Sequence, residues 1–218
     1  MMTCNTAFIP LYIKLDNFNV CIFGFGEVGQ RRFNKVLKGA PKKITIYDRQ
    51  CNTINLNNTK DNKNINFIQR DIKNISNEEL EQIIKNYDII ITAIDEKNNK
   101  RIVDISKNLN KLINSSTFEN DINIIIPACY ENNGVYFSIY TKGKSPLIAK
   151  EIRKIVENYL KNNDIFIMQQ IRDILKDKDD KDNITLKSQK DRKKIFEKLL
   201  KNEDFKKEFK ELIDKYAG

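Results

Sequence analysis

No histidine occurs anywhere in the 218 residues. That removes the commonest general base and the commonest nitrogen ligand for metals. Any proton transfer must therefore use carboxylates, hydroxyls, thiols, tyrosine, lysine or the substrate itself. Cysteine is scarce too. Cys4, Cys21, Cys51 and Cys129 stand far apart, so no C-x-x-C metal or redox pair exists. Cys21 lies inside an apolar run and is expected to be a small core residue. Long apolar stretches are also missing. The run around Ile89–Ile94 falls far short of the roughly 20 residues a membrane span needs. The opening "MMTCNTAFIPLYIKLD" lacks a basic segment followed by a long apolar one. No secretory leader or membrane anchor is expected, and the cytoplasm is the default compartment.

A 40% hydrophobic and 32% charged composition describes a globular chain rather than a disordered one. The net charge is +9, spread along the chain as a lysine-rich surface. Such a surface is usually just solvated. It would also suit an anionic small molecule. No basic cluster interleaved with aromatics favours nucleic acid, so no nucleic-acid partner is expected.

The most informative stretch is "NVCIFGFGEVGQ", with glycines at Gly24, Gly26 and Gly29. Val20–Phe23 is continuously apolar, as a central parallel strand should be. Glu27–Lys38 then reads as a helix with Val28, Phe33, Val36 and Leu37 on one face and Gly39 as its left-handed C-terminal residue. Each glycine has a physical use: Gly24 for the tight turn, Gly26 for close backbone approach to a pyrophosphate, Gly29 for close helix–strand packing. The helix N-terminus would present free N–H groups and its positive dipole end to the phosphates. The next strand, "KKITIYD", ends at Asp48, 19 residues past Gly29. An acid there accepts hydrogen bonds from a ribose diol and repels a 2′-phosphate, which favours NAD over NADP. Its neighbour Arg49 softens that preference.

Further strands are expected at Asn64–Asp71 and in "DIIITAID". A capping box is expected at Ser76 and Glu79, and another helix around "NNKRIVDISKNL". Strand and helix alternate over about the first 112 residues, which predicts a parallel sheet with helices on both faces. "KLINSST" is a short strand. "NIIIPACY" and "GVYFSIYTKG" read as a hairpin across "ENNG". "SPLIAKEIRKIVENYL" is a helix capped by Ser145 with Pro146 in its first turn. Ile148, Ile152, Ile155 and Tyr159 form one stripe on it. The remainder reads as helical.

At these residues the chain resembles the precorrin-2 dehydrogenase / sirohydrochlorin ferrochelatase family, the N-terminal module of siroheme synthase. The similarity runs from about residue 9 to 162. It rests on "IPLYIKLDNFNVCIFGFGEVGQRR", on "TAID" (Thr92–Asp95), on Asn114, on Pro127 and on "YTKGKSPLIAKEIRKIVENYL". The resemblance implies a Rossmann-like NAD-binding domain (1–112), a dimerisation and substrate segment (113–162) and a helical C-terminal domain (163–218). It implies a homodimer whose substrate is a polycarboxylate tetrapyrrole. Precorrin-2 would give a hydride to NAD and yield sirohydrochlorin, and some members also insert Fe²⁺. The cofactor site would comprise Gly24, Phe25, Gly26, Glu27, Val28, Gly29, Asp48, Arg49, Thr92, Ala93 and Asp95. Thr141, Lys142, Lys144 and Ser145 would face the substrate.

One departure bears on chemistry. The family carries an aspartate three residues after the asparagine matched by Asn114; here it is Thr117. Asp121 or Glu119 could supply a carboxylate from the same loop, or each could be a solvated loop charge. Asn114, Thr117 and Asp121 are therefore the catalytic candidates, with no metal ligand among them. Hydride transfer depends mainly on positioning and survives this change better than metal insertion does. A non-catalytic tetrapyrrole carrier and an NAD-sensing regulatory module are the rival readings.

Overall fold

The computed structural model describes residues 8–50, 64–117, 121–132, 135–142, 145–162 and short pieces at 197–198, 201–204 and 207. The expected C-terminal helical domain lies outside the described residues apart from those pieces, as do Glu119, Lys144 and the tip of "ENNG". The chain divides into two compact units, Met1–Ile126 and Pro127–Gly218.

In the first unit, β1 (Asn19–Phe23), β2 (Lys43–Asp48), β3 (Ile65–Gln69), β4 (Ile89–Thr92) and β5 (Leu112–Ser115) form one five-stranded sheet in the order β3-β2-β1-β4-β5. Every pairing is parallel. The register sets Val20 beside Ile44 and Ile89, and Thr92 beside Ser115. The fifth strand carries this unit beyond residue 112. Strand order runs outward from β1 to β2 and β3 on one side and to β4 and β5 on the other, so the sheet has a switch point between β1 and β4, where open α/β sheets bind ligands.

Helix α1 (Glu27–Leu37) covers one face of the sheet. Its Phe33 and Val36 pack with Val20, Ile22, Ile44, Ile46, Ile89 and Ile91. Helices α2 (Asn77–Lys85) and α3 (Glu96–Asn108) cover the other, where Leu80, Ile84 and Ile102 meet Cys21, Phe23 and Ile90. Alternate residues of β1 thus supply opposite cores, because successive strand side chains point to opposite faces. Cys21 is fully buried, as expected.

Ahead of β1, Ile9, Leu11, Tyr12 and Ile13 are exposed. Two local expectations change. The left-handed residue after α1 is Ala40 (φ 46°), not Gly39. Gly39 is small for a packing reason, since a Cβ there would lie 2.7 Å from Leu15 Cδ1. The capping box is half realised. Ser76 Oγ accepts from Glu79 N at 3.2 Å, but the Glu79 carboxylate pairs with Arg70.

In the second unit, β6 (Ala128–Asn132) and β7 (Val135–Ile139) pair antiparallel. Helix α4 (Pro146–Asn162) packs on them and buries Ala149 and Leu160. No helix among the described residues is long and apolar enough to cross a membrane.

Candidate functional site

The glycine turn works as close packing demands. Gly24 has φ +91°, a backbone that side-chain-bearing residues rarely adopt, and a Cβ there would lie 2.8 Å from the Ala93 carbonyl carbon and nearer still to its oxygen. A Cβ on Gly29 would lie 3.0 Å from the Gly24 carbonyl carbon and nearer still to that oxygen. Gly26 differs: nothing lies within 4 Å of where its Cβ would be. It is the exposed N-cap of α1, without a side chain to cap it. The first amides of α1, from Glu27 and Val28, have no acceptor within the helix. The α1 N-terminus is therefore open, positively polarised and sterically unobstructed, which suits a pyrophosphate.

Beside it lies a cavity of about 440 Å³, within the range that holds small molecules. Phe25, Gly26 and Gln30 line one wall. Tyr47, Asp48 and Arg49 line the next, and Ile72, Ile94, Asp95 and Asn98 close it. Asp48 Oδ2 accepts from Phe25 N at 2.6 Å and Oδ1 from Gln50 N at 2.9 Å. The carboxylate thus pins the glycine loop to the end of β2 and keeps lone pairs over for a diol. Arg49 is exposed at the rim, so its charge stands next to that of Asp48. Phe25 contributes its backbone; its ring is buried edge-on against Phe33 and Phe67. Burial, then a hydrogen bond with Tyr87, push the Tyr47 phenol above its ordinary range, so it is no acid here.

Asp95 caps α3, accepting from Asn98 N at 3.1 Å, and its carboxyl is held below the usual range chiefly by Asn98. Lys73 sits 3.5 Å from it. Thr92 does not reach the cavity. It is fully buried, and its hydroxyl donates to Asn99 Oδ1. Ala93 serves through its backbone against Gly24.

Sequence reasoning missed Asn99, which is fully buried at the first turn of α3. Its Oδ1 also accepts from Ile94 N at 3.0 Å. Its Nδ2 is shared among Ile94 O at 3.2 Å, Ser116 Oγ at 3.0 Å and Thr117 Oγ1 at 3.1 Å. One amide therefore ties the turn after β4 to the loop after β5. A signal existed: Asn99, Ile102, Val103 and Ser106 share one helical stripe, and all four are buried.

The catalytic candidates separate. Asn114, at the end of β5, is 4% exposed. Its Nδ2 donates to Ile124 O at 3.0 Å, and its Oδ1 is buried without a partner among the described residues. That leaves an acceptor able to take an N–H or O–H. Thr117 is exposed, and its hydroxyl sits against Asn99 and Ser115. Asp121 is committed elsewhere, in ion pairs with Lys107 at 2.5 Å and Lys100 at 3.2 Å. Those lysines, Lys107 foremost, hold its carboxyl below the usual range, which makes it a weak base. Its pairing removes it as the ready substitute for the family aspartate.

Thr141, Lys142 and Ser145 belong to the second unit. Ser145 Oγ accepts from Ile148 N at 3.2 Å, which makes it the α4 N-cap, and Thr141 Oγ1 donates to Ser145 O at 3.1 Å. Lys142 holds a left-handed turn at φ 50°.

The family model described as "Putative NAD(P)-binding" matches residues 11–128, the span that builds this turn and cavity. A protein of Methanocaldococcus jannaschii named "Putative precorrin-2 dehydrogenase" is 47% identical over 96% of this chain and 98% of its own. The chain belongs to the precorrin-2 dehydrogenase family. The precorrin-2 dehydrogenase of Methanosarcina barkeri is 26% identical over 99% of this chain and 93% of its own. The siroheme synthase of Pseudoalteromonas translucida is 23% identical over 70% of this chain and only 31% of its own length. The solved structure "SirC, precorrin-2 dehydrogenase" shares the fold at TM-score 0.67, with 20% identity, over 96% of this chain and 100% of that one. The open Gly26 cradle and the Asp48 carboxylate fit the NAD(P) cofactor that membership of the family entails.

Proposed function

We propose that the protein is an NAD-dependent precorrin-2 dehydrogenase, which forms sirohydrochlorin in the synthesis of siroheme or a related modified tetrapyrrole. The observation that carries this is the end-to-end likeness to the Methanocaldococcus jannaschii protein, laid over a turn and cavity built for a dinucleotide. The amides of α1 from Glu27 onward hold the pyrophosphate, with Gly26 giving room. Asp48 takes the ribose diol and disfavours a 2′-phosphate, so NAD is used in preference to NADP. Bound NAD supplies a two-electron acceptor for the substrate's hydride. The proton that leaves with it goes to water or a substrate carboxylate, because Thr117 offers no base and Asp121 is ion-paired. Asn99 holds the loop that carries Thr117, and Asn114, in β5, offers a buried acceptor. The compartment is the cytoplasm.

The test is anaerobic incubation of the purified chain with enzymatically generated precorrin-2, comparing NAD with NADP. Sirohydrochlorin formed faster with NAD supports the proposal. A tightly bound tetrapyrrole that is never oxidised would make the protein a carrier instead.

Metal insertion should be weak. A chelatase must take pyrrole protons, and the position of the family aspartate holds a hydroxyl. Insertion of Fe²⁺ or Co²⁺ into sirohydrochlorin is expected to stay near the non-enzymatic background. Thr117→Asp is expected to raise it, because Asn99 Nδ2 already lies within reach of that position. Insertion well above background by the natural sequence would contradict this.

The protein acts as a homodimer. Along α4, Leu147, Ile148, Ile152, Ile155 and Tyr159 are 37–68% exposed, a continuous apolar face that a second copy would cover. Sedimentation should show a dimer. Ile155→Asp should weaken it by about tenfold or more, since it would bury an unpaired charge. A monomeric natural protein at micromolar concentration would contradict the arrangement.

A further inference from the structure

Arg32 is the cation that the site, as described so far, leaves without a task. It sits on α1, the helix that follows β1 at the switch point. Its guanidinium crosses to the far half of the sheet. Nη1 donates to Thr92 O at 3.1 Å and Nη2 to Ser115 O at 2.9 Å. Those residues are register partners at the carboxyl ends of β4 and β5. Arg32 thus marks the edge away from Asp48, beside Asn114 and the Thr117 loop. The side chain is half-buried, and among the described residues no carboxylate pairs with it. The charge that reaches it is that of Arg31, of like sign. Burial first, and then Arg31, lower its pKa to about 10, which leaves it fully charged at neutral pH. A half-buried cation without a counter-ion costs stability unless an anion completes it. A guanidinium has five N–H donors in a rigid fork, and carbonyls occupy only two of its nitrogens. Simple capping of strand ends needs no permanent charge.

We propose that Arg32 is a substrate-binding residue that receives a carboxylate of the tetrapyrrole at the β4–β5 edge of the sheet. The inference rests on the proposed dehydrogenase function, from which the polycarboxylate substrate comes. An anionic oxygen could also come from the cofactor's phosphates, but the open α1 N-terminus at Gly26 already provides for those.

The experiment uses the full chain and three proteins: the natural sequence, Arg32→Gln and Arg32→Lys. Glutamine can still donate to one strand-end carbonyl but carries no charge, and lysine keeps the charge without the fork. The KM for precorrin-2, the dissociation constant for NADH by fluorescence, and the unfolding midpoint are measured on each. Arg32→Gln is expected to raise the precorrin-2 KM by about tenfold to a hundredfold, as loss of a charge-assisted contact does. It should leave NADH affinity within about twofold, the scale of an uninvolved group. Arg32→Lys should fall between the two. Added salt should raise the KM of the natural protein more steeply than that of Arg32→Gln. A lowered midpoint with unchanged KM would reduce Arg32 to a strand-end clamp and overturn the proposal. Weakened NADH binding with unchanged precorrin-2 KM would also overturn it, assigning the anion to the cofactor. If the natural protein neither oxidises nor binds the tetrapyrrole, the dehydrogenase reading itself fails, a result that no Arg32 variant alone can mimic.

Discussion

Gly26→Ala is expected to fold like the natural protein and to bind its cofactor more weakly, whereas Gly24→Ala and Gly29→Ala are expected to lose stability. The three glycines lie within six residues, yet their surroundings differ completely. At Gly24 an added methyl group meets the Ala93 carbonyl and the Ile94 side chain, on a backbone at φ +91°. The left-handed backbone alone costs about 1–2 kcal/mol, and overpacking adds about 1–3 kcal/mol. At Gly29 the methyl meets the carbonyl of Gly24. Backbone cannot rotate aside as a flexible side chain can, so α1 must lift off β1. Both variants should lose about 2–5 kcal/mol, lowering the unfolding midpoint by about 10 °C or more. At Gly26 the methyl meets nothing in the protein. Its effect on stability should stay within about 0.5 kcal/mol, while NADH affinity falls by about tenfold or more as the methyl enters the space for the phosphates. Calorimetry with NADH titration separates the cases. A stable Gly29→Ala, or a Gly26→Ala that binds NADH normally, would contradict this account of the turn.

Asn99→Leu should be the most damaging substitution outside the glycine turn. Leucine fits the volume but pairs with nothing. Thr92 Oγ1 and the Ile94 amide lose their acceptor, and Ile94 O, Ser116 Oγ and Thr117 Oγ1 lose their donor. Several of these groups are buried, and each stranded one costs about 1–3 kcal/mol. A total loss of about 3–5 kcal/mol is expected, at the upper end for a point change. Asn99→Asp keeps the acceptor and loses the donor. At a temperature where it stays folded, its kcat should drop by about tenfold, since the 115–117 loop is released from the turn after β4. NADH affinity should change less, because Gly26 and Asp48 do not depend on Asn99. A purely structural Asn99 would lower the midpoint and leave kcat alone.

The legible and the hidden parts of this molecule divide along physical lines. The apolar run Val20–Phe23, the glycines after it and the acid closing β2 follow from local chemistry, and they form in the structure as a sequence reading expects. The Ser76 and Ser145 caps are equally local. Arg32 and Asn99 were not legible in that way, because their value comes from partners 60 to 83 and up to 18 residues away in the chain. In the sequence, "NNK" at 98–100 looks like a solvated helix start. Only tertiary packing turns Asn99 inward. Asp121 misled in the opposite direction: a loop carboxylate beside Thr117 in sequence is neutralised by Lys100 and Lys107 from α3. Ala40 shows the same limit at small scale, since a glycine one residue earlier was needed for packing against Leu15 rather than for its backbone.

The central claim is that this chain passes a hydride from precorrin-2 to NAD in a site organised by the Gly24–Gly29 turn. The most direct measurement follows NADH fluorescence and sirohydrochlorin absorbance together, anaerobically, for the natural protein and for Gly26→Ala. The account predicts that the two products appear in equal amounts with the natural protein, only when NAD is present, and that Gly26→Ala forms both about tenfold or more slowly at a subsaturating NAD concentration. Sirohydrochlorin appearing without NADH, or equal turnover by Gly26→Ala at that concentration, would contradict it.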